Sequence, residues 1–209
     1  MKRLVILISG RGSNLRAILE TKLRAKVAAA ISNNPKAAGL EIAAARGIKI
    51  HALDHKKFLD RESFDSELAE VIDSHSPDLV VLAGFMRILS NWFVNHYRGR
   101  LINIHPSLLP AFPGLNTHER ALATGVKIHG ATVHFVTNQL DHGPIIIQAA
   151  VPVLPGDTAE SLAARVLEEE HRIYPQAIRW FLAGKLKLKD NSVIVERQTK
   201  ISTKAMVIA

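Results

Sequence analysis

The chain has no cysteine. That excludes a disulfide framework, a thiolate metal site and a cysteine nucleophile, and it leaves a reducing compartment acceptable. No apolar stretch is long enough to span a bilayer. Lys2 and Arg3 precede a short apolar run, but the run enters a glycine loop and has no small-residue cleavage site, so it reads as a first strand and not as a secretion signal. The expectation is therefore a cytoplasmic chain without membrane attachment. The formal net charge is +8, yet the sequence has no dense Lys/Arg cluster and no aromatic-rich strand on which bases could stack. The charge reads as a solubilising surface and a field that draws in anionic ligands, with no nucleic-acid partner. Metal-ligand spacing is missing too. His129 and His134 are five apart, so along a strand they face opposite sides, and no further ligand fits; no metal is expected.

With 209 residues, 47% apolar and 22% charged, the chain can bury one substantial core. A single domain is expected over residues 1–189, followed by a tail over 190–209; Lys185 to Val195 reads as a terminal strand or extended tail, and from Glu196 onward the sequence shows no usable pattern. Lys2 to Ile8 is a continuous apolar run of the kind found in parallel strands covered on both faces. Ser9-Gly-Arg-Gly-Ser-Asn14 follows, and a helix begins near Leu15. Backbone N–H groups and a positive dipole end at such a turn suit a phosphate. It is no dinucleotide fingerprint, because Leu15 stands where a third small residue is needed and the second strand, Val27 to Ile31, is followed by Ser-Asn-Asn without an acid. A plain tight turn with Asn14 as helix cap is the simpler alternative.

Further on, Pro35 is expected to open a helix to Arg46, and Ile48 to Leu53 forms a third strand. Asp60 leads a helix to about Ser74, Asp78 to Leu82 is a fourth strand, and Ser90 to Tyr97 is helical. Leu101 to His105 is a fifth strand. A short helix covers Thr117 to Thr124, and strands at Ile128–Val136 and Pro144–Leu154 can pair as a hairpin. Asp157-Thr-Ala-Glu160 reads as a capping box for a helix ending near Tyr174, with Pro175 breaking it from a last helix to Leu182. Five strands alternating with helices predict an α/β, mostly parallel, doubly wound (Rossmann-like) sheet with helices on both faces; the late strands add an antiparallel part. Ligands in such sheets lie outside the carboxyl ends of the strands, where the Gly10 loop, the Gly84 loop, Asn103/His105 and Asp141 are expected to meet.

Within Leu101-Ile-Asn-Ile-His-Pro-Ser-Leu-Leu-Pro110, Asn103 and His105 are two apart and share one face of the strand. An amide and an imidazole held on a rigid strand can receive a developing negative oxygen. The plainer alternative is a turn cap and a satisfied half-buried histidine. Asp141, in Leu-Asp-His-Gly-Pro144, offers a carboxylate; beside an imidazole it favours the charged ring and fixes its tautomer. Asp-x-Gly-Pro is also ordinary turn chemistry. Ser107 has the wrong neighbours for a nucleophile and shapes the turn.

Together the strings ISGRGSNL, NIHPSLLP and LDHGP resemble the folate-dependent formyltransferases, from about Leu4 to about Leu188. The resemblance implies transfer of a formyl group from 10-formyltetrahydrofolate to the amine of glycinamide ribonucleotide, with those two small molecules as partners, no metal, and a monomer or weak homodimer. It makes Asn103, His105 and Asp141 catalytic. It places Gly12, Ser13 and Asn14 on the phosphoribosyl part of the nucleotide and Glu170 near its amine-bearing arm. The folate falls to Arg61, Met86, Arg87, Ile88, Leu89, Asn138, Gln139 and Leu140. His118 is assigned to a lid over 111–130 and His134 to a supporting position. Two related branches share this core. Methionyl-tRNA formyltransferase would need a C-terminal nucleic-acid module, and formyltetrahydrofolate hydrolase an N-terminal regulatory domain; neither module is expected here. The non-enzyme alternative is a basic nucleotide- or nucleic-acid-binding module, with the Asn-His-Asp set accidental.

Overall fold

A computed structural model describes residues 1–196; positions 197–209 of the expected tail lie outside the described residues. Seven strands form one sheet in the order β3-β2-β1-β4-β5-β6-β7. These are β1 (Lys2–Ile8), β2 (Ala25–Ser32), β3 (Lys49–Ala52), β4 (Leu79–Leu82), β5 (Leu101–His105), β6 (Ile128–Phe135) and β7 (Ile145–Pro152). The first five are mutually parallel, while β6 is antiparallel to both β5 and β7. Among the described residues the six α-helices are α1 (Ser13–Glu20), α2 (Ala38–Ala44), α3 (Arg61–Asp73), α4 (Asn91–His96), α5 (Thr117–Thr124) and α6 (Ala159–Leu182), with a single 3-10 turn at His55–Lys57. A hairpin of β8 (Leu186–Lys189) and β9 (Ser192–Val195) runs across position 189, where the sequence places the end of the domain.

Leu4 to Ile8 are all fully buried, as a central strand covered on both faces requires. Side-chain alternation splits them between two cores. Leu4, Ile6 and Ile8 meet residues of α1, α2, α5 and α6. Val5 and Leu7 meet Phe64, Leu68 and Ile72 of α3 and Phe93 of α4. Each fully buried Leu, Ile or Phe contributes roughly 1.5–3 kcal/mol of transfer free energy. The sheet is therefore held from both sides, and its upper loops project from a rigid base.

Three boundaries differ from the sequence reading. The helix after Pro35 starts at Ala38, because Asn34 accepts from Lys36 N–H and Ala37 N–H and holds a turn there. The last helix is capped by the pair Thr158/Ser161, while Asp157 accepts two hydrogen bonds from Arg165 at 2.8 and 2.9 Å. That helix also runs unbroken through Pro175. Proline inside a helix costs about 3 kcal/mol. Here Tyr174, Ala177 and Ile178 are fully buried, and the Tyr174 hydroxyl lies 2.8 Å from the Leu82 carbonyl and 3.2 Å from that of Ile102. Packing offsets the lost backbone bond. None of the described helices is long and apolar enough to cross a membrane.

Candidate active site

Strand register places the first group. β5 pairs with β6 so that Asn103 faces His134 and His105 faces Thr132, on the face opposite Ile102 and Ile104. His134 Nδ1 lies 2.9 Å from the Phe135 carbonyl, which can only accept, so Nδ1 carries the ring proton. Burial pushes the His134 pKa down, against the Phe135 carbonyl and Asp141. The neutral ring then presents Nε2 as an acceptor to Asn103 Nδ2 at 3.4 Å. This orients the Asn103 amide and leaves its second N–H for another oxygen. His105 is buried, and its Nε2 donates to the Phe112 carbonyl at 2.9 Å.

Asp141 joins them by an indirect route. Because β6 is antiparallel, the 136–144 loop leaves the sheet beside Leu101, where Val136 N–H donates to the Leu101 carbonyl. Asp141 nevertheless reaches the far end of β5: its Oδ2 is 3.5 Å from His105 Nδ1 and its Oδ1 is 3.9 Å from His134 Nε2. The loop therefore folds back over the strand face to bring Asp141 to His105. Gly143 permits the return, since a Cβ there would stand 1.6 Å from the Phe135 carbonyl oxygen. Asp141 has φ 53°, a left-handed conformation that Asp tolerates better than most residues. Its carboxylate also accepts from Gly114 N–H at 2.8 Å.

The turn after β5 is locked by its own side chains. Ser107 Oγ donates to the Ala111 carbonyl at 2.6 Å, and Thr132 Oγ1 donates to the Ser107 carbonyl at 2.6 Å. Ser107 thus shapes the turn, as its neighbours suggest. The Leu109–Pro110 peptide is cis. His118, on α5, packs edge-on against His129 at 5.2 Å between ring centroids, and burial pushes its pKa down.

At the β1–α1 turn, Gly12 has φ 75° and no side chain caps the helix. Asn14 lies inside α1, so it is not the cap. Its Nδ2 donates to Glu170 Oε2 at 2.7 Å, and both side chains are buried. Asn14 Oδ1 is buried without a hydrogen-bond partner. Burial pushes the Glu170 carboxyl up, with the Asn14 bond opposing. The Gly12–Asn14 turn and Glu170 of α6 are thus joined directly through Asn14.

The β4–α4 segment carries Met86, Arg87, Ile88 and Leu89. Met86 and Ile88 are exposed, as is Leu140 on the 136–144 loop. Asn138 Nδ2 donates to Asn95 Oδ1 at 3.3 Å, and the Thr137 hydroxyl donates to the Gln139 carbonyl at 3.2 Å. Arg61, Ile88, Leu89, Trp92 and Asn138 line a cleft of about 280 Å³. The structure also shows two polar residues here that the sequence reading passes over, Ser9 and Asp65. Asp65 was legible: it sits in the buried helical stripe of Phe64, Leu68, Ala69 and Ile72, where a carboxylate needs a reason. No group of three or more His, Cys, Asp or Glu side chains able to hold a metal occurs among the described residues.

An Asn-His-Asp set thus stands over a doubly wound sheet. The formyl transferase profile matches residues 2–178, and the chain belongs to that family. Within it, the chain is 52% identical over 199 residues to phosphoribosylglycinamide formyltransferase of Escherichia coli strain K12, covering 93% of this chain and 94% of the relative. It is 46% identical to the human trifunctional purine biosynthetic protein adenosine-3, of which it spans 19%. The crystal structure of glycinamide ribonucleotide transformylase 1 from Symbiobacterium toebii superposes with a TM-score of 0.91 at 49% identity, covering 93% of this chain and 94% of that one.

Proposed function

We propose that this enzyme transfers the formyl group of 10-formyltetrahydrofolate to the amine of glycinamide ribonucleotide, a step of purine biosynthesis. The observation that carries the reading is the convergence of Asn103, His105 and Asp141 within hydrogen-bond and ion-pair reach of one another or of His134. Asn103, oriented by His134, donates its free N–H to the formyl oxygen as negative charge develops there. His105 donates a second bond. Its Nε2 becomes available when the Phe112 carbonyl swings away, a motion that the lid over 111–130, with His118, supplies in this reading. Asp141 supports the charged imidazole and, through water, moves the proton from the attacking amine to the leaving N10 of the folate. Two preorganised donors suit a tetrahedral oxyanion, with no covalent enzyme intermediate.

Binding follows the same division. The backbone N–H groups at Gly12, Ser13 and Asn14 receive the nucleotide phosphate at the α1 N-terminus, and Glu170 with Asn14 faces the glycinamide arm. The exposed apolar Met86, Ile88 and Leu140 offer a seat for the flat pterin, Gln139 adds backbone groups, and Arg61, Arg87 and Asn138 take its polar tail. A formyl-transfer assay with glycinamide ribonucleotide tests the reading. Turnover with this acceptor is expected, and hydrolysis of the donor without acceptor at an equal rate would overturn it.

A further inference from the structure

The 85–90 segment between β4 and α4 has no regular structure of its own, yet it is fastened at both ends by side chains from elsewhere. At its start, Met86 N–H donates to Ser9 Oγ at 2.7 Å. Ser9 sits just past β1; its backbone N–H donates to the Gly84 carbonyl at 3.1 Å, and its hydroxyl donates to Asn33 Oδ1 at 2.5 Å. At the other end, Ser90 N–H donates to Asp65 Oδ2 at 2.5 Å.

Asp65 is an unusual fastener. It is fully buried on α3, and its Oδ1 has no hydrogen-bond partner. A half-satisfied buried carboxylate costs stability. Burial pushes its pKa up, the Ser90 bonds oppose this, and the charges of Arg61 and Arg87 oppose it further. The Arg87 guanidinium lies 5.6 Å over the Phe64 ring, and its Nε is buried without a partner. The α3–α4 core already holds Phe64, Leu68, Phe93 and Tyr97, so a carboxylate adds nothing that apolar packing lacks. What it does add is a charge-assisted bond to an irregular backbone, the stronger kind of hydrogen bond. Between the two fastened ends, Met86 and Ile88 stand exposed.

We infer that Asp65 is a positioning residue for the formyl donor: by holding Ser90 N–H it fixes the 86–89 turn in its receptive shape, with Ser9 as the second fastener. The inference rests on the assignment of that turn to folate. Ser9, three residues before Gly12, accepts from Met86 N–H and donates to Asn33 Oδ1, which ties the start of the 86–89 turn to the ends of β1 and β2.

Steady-state kinetics in both substrates test it with Asp65→Ala, Asp65→Asn and Ser9→Ala. Loss of a hydrogen bond to a charged group predicts a KM for 10-formyltetrahydrofolate raised roughly 10- to 100-fold in Asp65→Ala. The KM for glycinamide ribonucleotide and kcat should stay near wild type. Asp65→Asn keeps an oxygen that accepts from Ser90 and should restore most of the donor KM. Ser9→Ala, losing a neutral bond, should raise the donor KM by about 2- to 10-fold. If Asp65→Ala fails to fold, Ser9→Ala still decides. A wild-type donor KM in Ser9→Ala, or in folded Asp65→Ala, overturns the inference, as does a parallel rise in both KM values, which marks a general structural defect. If the wild type itself does not use this donor, the functional reading fails instead.

Discussion

Oδ2 of Asp141 lies 3.5 Å from Nδ1 of His105, and each side chain is only 8% exposed. The same oxygen accepts the Gly114 N–H, while the other nitrogen of His105 donates to the Phe112 carbonyl. One acid–imidazole pair is therefore bonded at both ends to the 111–116 segment. Whatever moves that segment changes the hydrogen bonds of both groups together.

Asp141→Asn preserves the volume and tolerates the left-handed backbone but removes the charge. Loss of one oxyanion-stabilising interaction lowers kcat by ~10²–10³. Asn103→Ala should fall in that range and Asp141→Asn should equal or exceed it, with the KM values less affected. Near-normal kcat in Asp141→Asn would remove it from the mechanism.

Gly12 is constrained from behind by α2. Its φ of 75° disfavours any side chain, and a Cβ would stand 2.6 Å from Gly39 Cα. Gly12→Ala should push the turn off α2 and raise the KM for glycinamide ribonucleotide by an expected factor on the order of 10, with the donor KM unchanged. Isothermal titration with each ligand separately checks this, and equal losses for both count against the assignment.

Glu170 is a buried carboxyl whose burial has a pH-dependent cost. Its carboxyl is pushed up by burial, so the folded protein keeps the proton to higher pH than the unfolded chain. Its contribution to stability is therefore fully present below the unfolded value near 4.5 and is lost as pH rises through the folded value. Glu170→Gln should make the ligand-free protein gain relative to wild type between pH 5 and pH 8 in urea unfolding, while its affinity for glycinamide ribonucleotide falls. A variant no more stable than wild type at pH 8 contradicts the sign.

His129 gives the opposite slope. It is 1% exposed, and burial, then the neighbouring His118, lowers its pKa from 6.5 to about 4. The unfolded chain binds the proton first, so stability falls as pH drops from about 6.5 toward 4. Between pH 7 and pH 5 the loss is on the order of 2 kcal/mol for this group. His129→Leu should unfold in urea with a visibly flatter pH dependence over that interval. An unchanged slope means that His129 is not buried in its neutral form.

Much of this was legible in the chain because apolar runs and turn residues act locally. Lys2–Ile8 and Leu101–His105 announce themselves as strands, and Thr117–Thr124 is a helix with the ends its sequence suggests. Pro175 misleads because tertiary burial of Tyr174 and Ile178 outweighs a local penalty. The Asp157 box misleads because Arg165, eight residues on, takes that carboxylate away. Asn103 and His105 could be put on one face from spacing alone. The alignment of Asn103 with His134 needs strand register, and the bond from Ser90 to Asp65 needs the packing of two helices; neither is written in any local pattern.

Asn14 and Glu170 meet although 156 positions separate them. Asn14 has this carboxylate beside it only when α6 is packed against α1. On the proposed reading, nucleotide binding therefore reports that α6 is seated.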